Sequence, residues 1–197
     1  MVALSCSLYG QLAPRPLREL VYLLIPEPAA LRSKISFKPE GAERTVFTPA
    51  KELPGSKTGY QIYTEEDFAK LGISVATFAE RAGAAADARL KTAQPEFIKD
   101  GEGRTRYAVF RGDSQLIASL VTAPSLMRTV SPLLGKDLWA LLPDRHSLFV
   151  FPAKPELVAE FTEDLADRYD TSLEAASCEV FQLHEGKAPS VVGSFGK

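Results

Sequence analysis

Residues 141 to 152 read Leu-Leu-Pro-Asp-Arg-His-Ser-Leu-Phe-Val-Phe-Pro: two apolar runs flanking four polar or turn-forming residues. Proline fixes φ and aspartate bonds nearby backbone N–H groups, so Pro143-Asp144 is turn chemistry. Asp137 to Leu142 and Ser147 to Phe151 then read as paired strands. A hairpin here points to an antiparallel, mixed architecture rather than a parallel βαβ series. The turn also carries Asp144, Arg145 and His146, the three binding candidates of the chain. In a functional reading His146 is a general base oriented by Asp144, and Arg145 clamps an anion. No nucleophile sits at a recognisable spacing, and such triads are assembled by the fold rather than by sequence neighbours. The turn reading is preferred, and the catalytic residues stay unassigned.

The flanking sequence extends the same pattern. Pro155 opens an amphipathic helix with Leu157, Val158, Phe161 and Leu165 on one side and Glu160, Glu163, Asp164 and Asp167 on the other. Strands are expected at Glu179 to Leu183 and Ser190 to Phe195, about the turn Glu185-Gly186-Lys187. Toward the N-terminus, Tyr107 to Arg111 and Leu116 to Val121 read as strands joined at Gly112-Asp113. Pro124 suits a first helical turn. Leu126, Met127, Val130, Leu133 and Leu134 face inward, Pro132 predicts a kink or a short second turn, and Gly135 ends the helix.

Thr64-Glu65-Glu66-Asp67 is a capping-box signal, and Gly72 closes the short helix that it opens. Ser74 starts a longer helix that fades by Lys91. Its small residues, GAAADA at 83 to 88, permit close packing of another element. Residues 1 to 63 look β-rich, with a strand at Leu20 to Ile25 and a hairpin of Lys34 to Lys38 with Arg44 to Thr48. Residues 49 to 59 form a loop, and Tyr60 to Tyr63 form another strand. The whole predicts a single α+β domain over residues 1–197, with antiparallel hairpins packed against three or four helices and a smaller β-rich part at 1–63.

Composition narrows the function classes. The chain has 197 residues, 45% hydrophobic and 24% charged, enough for a sizeable core. With 23 Lys and Arg against 25 Asp and Glu, the net charge is −2, and no basic run exceeds two residues. A nucleic-acid partner is therefore not expected. Cys6 and Cys178 read as free thiols of a reduced cytosol. With only His146 and His184 besides, and no paired spacing, neither a metal nor another cofactor is expected. The apolar run at 20–25 is too short for a membrane span of about 20 residues or a signal-peptide core of about 7–15. The expectation is a soluble cytoplasmic protein with no membrane partner.

Other candidates have ordinary readings. Gly112-Asp113-Ser114 is similar to the GDS block of the GDSL esterases, in which the serine is the nucleophile. That family's Asp-x-x-His pair has no counterpart, since Pro143 and Phe181 stand three residues before His146 and His184. The acidic residues Glu160, Glu163, Asp164 and Asp167 read as a solvated helix face rather than a cation site. Trp139 alternates with apolar neighbours and reads as core or half-buried rather than a stacking platform. There is no GxGxxG, P-loop, HExxH or nucleophile elbow.

The stretch YTEEDFAKLGIS at 63–74, the Ala-rich helix after it, and APSLM with LLGKDLWALLPDRHSLFVFPA at 123–127 and 133–153 carry a family likeness. Residues 63 to about 153 resemble the YtpQ-like family of uncharacterised conserved bacterial proteins. In that family an acidic short helix and a Gly-Ile-Ser step precede a long helix, and an apolar strand later runs through a Pro-x-x-Asp-like turn into a second. His146 stands where the family tends to carry an acid. The resemblance implies an α+β fold and a bacterial cytoplasmic setting, and no catalytic role.

The leading expectation is a non-enzymatic binding or regulatory module contacting a protein partner or a small ligand. The second is a hydrolase using His146 and Asp144 with a serine, Ser114 or another, brought near by folding. The third is a homo-oligomer joined through an exposed sheet edge.

Overall fold

The computed structural model describes residues 22–196. Cys6 and the first residues of the Leu20–Ile25 run lie outside the described residues. The fold is α+β, with two antiparallel sheets and, among the described residues, five α-helices, two of which span only five residues each.

Strands β1 (Tyr22–Pro28), β2 (Thr45–Glu52) and β3 (Tyr60–Ile62) form a three-stranded sheet in that order. β2 is buried from Thr45 to Ala50. Its main partner is β1, which brings buried Leu23, Leu24 and Ile25 and pairs with it from Tyr22↔Lys51 to Pro28↔Thr45. The expected hairpin of Lys34–Lys38 with Arg44–Thr48 does not form. Its first arm contributes a single bridge, Phe37↔Phe47, with Ile35 and Phe37 packed against the core and Lys34 and Lys38 exposed.

The larger sheet has the order β4-β5-β7-β6-β8-β9: β4 (Glu96–Lys99), β5 (Thr105–Arg111), β6 (Leu138–Leu141), β7 (Ser147–Pro152), β8 (Glu179–Gln182) and β9 (Ser190–Ser194). The hairpins at 141–152 and at 179–194 form as expected. β4, only four residues long, was not foreseen. The predicted strand at Leu116–Val121 is instead a buried 3₁₀ turn, Ala118–Thr122, and β5 pairs with β4 and β7. Side chains close the turn locally: Ser119 Oγ donates to the Leu116 carbonyl and Thr122 Oγ1 to that of Ser119. Hydroxyls that satisfy carbonyls within the segment compete with a ladder.

Helix α1 (Glu65–Ala69) is capped by Thr64 and α2 (Val75–Leu90) by Ser74, each side chain accepting the N–H three residues on. Gly83 on α2 lies against Thr122: a Cβ there would meet its carbonyl at 3.3 Å. The small-residue stripe thus receives the 3₁₀ turn. Helix α3 (Leu126–Leu134) contains Pro132 near its end and stops at Gly135, φ +93°. The helix expected from Pro155 is two, α4 (Pro155–Ala159) and α5 (Thr162–Thr171). The break at Phe161 seats its ring 5.1 Å from Tyr107 and 5.4 Å from Phe151, so tertiary packing overrides a continuous helical pattern.

The main core, including Phe47, Phe78, Phe110, Leu120, Leu126 and Phe181, fills the space between the two sheets, α2 and α3. Phe47 and Phe181 stack across it at 6.1 Å. A second cluster packs α4 and α5 on the other face of the large sheet through Leu141, Phe151, Val158, Leu165 and Val180. No helix of the described residues is long and apolar enough to cross a membrane.

Candidate functional site

The Pro143–His146 turn is not an exposed hairpin tip. Residues 172–177 cover one side: Arg145 N–H donates to the Glu174 carbonyl, and the Ala176 and Ser177 N–H groups to those of Pro143 and Leu142. On the other side Gly112 and Ala118 N–H groups donate to the carbonyls of His146 and Arg145. The tip's backbone groups are therefore paired with two further loops, as burial demands.

From this clasped turn the three candidates point to different places. Asp144 Oδ1 accepts the His146 N–H at 2.8 Å and the Ser147 hydroxyl at 3.0 Å, closing an Asx turn. Its Oδ2 accepts from Arg168 Nε on α5 at 2.6 Å. Arg145 reaches to the small sheet, where Nη2 donates to Glu27 Oε1 of β1 at 2.9 Å. Its guanidinium lies 5.8 Å from the centroid of Tyr60. Burial raises the Tyr60 hydroxyl above its ordinary pKa, and the Arg145 charge only partly offsets this.

His146 lies between two acceptors. Nδ1 faces the Gly112 carbonyl at 3.2 Å and Nε2 faces Glu174 Oε2 at 2.5 Å. A carbonyl and a carboxylate only accept, so this placement favours the doubly protonated imidazolium over the neutral ring. Partial burial opposes that charge, but the bonds to Glu174 and Gly112 and the carboxylates of Glu174 and Asp144 outweigh it. The pKa of His146 accordingly lies above its ordinary 6.5. Glu174 is held in turn by Gln115 Nε2, which donates to its other oxygen.

Asp144 thus contacts its neighbour's backbone rather than the imidazole. Ser114 Oγ accepts from the Leu116 N–H at 3.2 Å, a turn contact, and His184 pairs with Ser190 at 2.8 Å in the β8–β9 hairpin. Among the described residues no three His, Cys, Asp or Glu side chains gather as a metal-binding group. Trp139 is half-buried and donates to Gln182 Oε1 across β6 and β8. Cys178 is a buried free thiol.

Glu27, Gln115, Arg168 and Glu174 were missed as partners of the triplet. Glu27 carried a faint sign, a carboxylate closing an apolar run in a strand; the others are unremarkable in sequence and meet the turn only through chain crossings. Comparison of the chain with family models, curated proteins and solved structures finds no match.

Proposed function

We propose that the chain is a non-enzymatic binding or regulatory module of the bacterial cytoplasm, contacting a protein partner or a small ligand. The observation that supports this reading is the direction of the two His146 ring nitrogens. A general base needs a free lone pair within reach of the proton it removes. Both ring nitrogens here are turned to Gly112 and Glu174, and neither Ser114 nor Ser147 is bonded to the ring. The polar residues that could do chemistry are spent joining loops, which suits a rigid scaffold presenting a surface. The bacterial setting is proposed only on the resemblance read in residues 63–153, and the near-balanced charge argues against nucleic acid as the partner.

The test is direct. Purified protein is expected to leave p-nitrophenyl acetate, p-nitrophenyl phosphate and a single-stranded oligonucleotide unconverted. Turnover abolished by His146→Ala, with folding intact, overturns the reading. A thermal-shift screen of metabolites is expected to yield a stabilising ligand. At 100 times its Kd such a ligand adds ~2.7 kcal/mol, a shift of several degrees at this size.

A further inference from the structure

Helix α5 crosses the outer face of the large sheet and leaves a pocket beside it. The pocket encloses about 230 Å³ and is lined by Tyr107, Phe149, Phe151, Phe161, Leu165 and two charged residues, Asp164 and Arg168. The aromatic wall is built by register: Ala108 pairs with Val150, so Tyr107 and Phe151 are cross-strand neighbours, with stacked rings 4.9 Å apart. Phe149, two residues along β7, shares their face. Phe161 closes the far end and is covered by Arg106, which Glu160 holds at 2.7 Å.

Arg168 is the polar feature of this wall. An acid four residues before an arginine on a helix normally pairs with it. Arg168 instead turns away from Asp164 and donates through Nε to the buried Asp144, which the Asx turn fixes. Its guanidinium carbon sits 5.7 Å from the centroid of Phe149, and its two terminal nitrogens make no hydrogen bond among the described residues. The result is a planar donor fork, anchored from behind and stacked on an aromatic floor.

We propose that this pocket is a binding site for a small planar aromatic carboxylate. The ring is taken by Tyr107, Phe149 and Phe161, and the carboxylate accepts from the terminal nitrogens of Arg168. A fork matches a carboxylate in two parallel hydrogen bonds, which a lysine cannot reproduce. Cationic rings are disfavoured because the guanidiniums of Arg168 and Arg106 already lie over Phe149 and Phe161. The Asp164 carboxylate at the same rim disfavours dianions such as phosphate monoesters. Asp144 is then a positioning residue, which links the turn of the sequence to a ligand site that it does not touch.

This assignment rests on the binding-module reading, and its test separates the two. Indole-3-acetate is titrated into the full chain by calorimetry, and by ¹H–¹⁵N spectra that locate the perturbed amides. Binding is expected, with shifts at Phe149 and Phe161 to Arg168, and with no comparable binding of tryptamine or acetate. Arg168 is half-exposed, so Arg168→Gln and Arg168→Lys keep the fold, and both are expected to weaken binding about tenfold or more. Equal affinity of the Arg168→Gln protein, shifts mapping elsewhere, stronger binding of tryptamine, or no binding overturns the site. The module reading survives each of those results and falls only to His146-dependent turnover.

Discussion

Arg145 and Glu27 meet at 2.9 Å with side chains only 12% and 4% exposed, and they tie the turn of the large sheet to the first strand of the small one. Glu27 Oε2 and Arg145 Nε lie buried without further partners among the described residues. Such a pair is weak as a source of net stability, but removing one member strands a charge in the interior. Arg145→Met is expected to cost about 3–5 kcal/mol in urea unfolding. The double variant Glu27→Leu/Arg145→Met should recover much of that loss. A double variant as unstable as the sum of the singles contradicts this account of the pair.

The Asp144–Arg168 bond is asymmetric in burial, 7% against 51%. Asp144 holds the Asx turn and the Ser147 hydroxyl as well as Arg168, so Asp144→Ala should cost about 3 kcal/mol through the stranded donors. Arg168→Ala leaves both Oδ1 bonds in place and strands only the buried Asp144 Oδ2, so it should cost less, about 1–2 kcal/mol. Chemical denaturation of the two variants side by side checks the ordering.

The raised pKa of His146 gives a signed pH dependence. A group whose folded pKa lies above its unfolded value stabilises fully below the unfolded value, and the benefit fades as pH rises through the folded one. The melting temperature should therefore fall as pH climbs from about 6 past the ordinary histidine pKa of about 6.5. His146→Gln, which titrates no proton, should flatten that part of the profile. A steeper fall in the variant would assign the effect to another group.

Gly41 has φ +75°, and a Cβ there would stand 2.4 Å from the Val191 carbonyl oxygen. The turn it opens is docked on β8 and β9: Glu179 Oε1 accepts the N–H groups of Glu43 and Arg44, and Val191 donates to the Glu40 carbonyl. Gly41→Ala therefore meets both a left-handed backbone and a backbone clash, and should destabilise by about 1–3 kcal/mol. Gly55→Ala, also at positive φ but with nothing within 4 Å, should cost less. Thermal melts of the two proteins compare the terms.

Local rules read most of the elements directly. Alternation and turn chemistry placed β6, β7, β8 and β9, and hydroxyl caps placed the starts of α1 and α2, because these signals are carried by neighbours in sequence. Pairing was less accessible. β2 pairs along its length with the more distant β1 and meets the nearer arm at 34–38 through the single Phe37↔Phe47 bridge, a distribution that only the assembled core reveals. The 3₁₀ turn at 118–122 and the break at Phe161 likewise come from what surrounds them.

The sequence by itself determined that Asp144, Arg145 and His146 occupy a turn between two strands, since proline and aspartate act on the backbone beside them. What each side chain does was decided by tertiary structure alone. Glu27, Arg168 and Glu174 are 118, 24 and 28 residues away from their partners in the chain. Charge pairing and proton occupancy depend on distance and burial in space, so only the folded chain could make the turn a junction and leave Arg168 as an open fork beside an aromatic wall.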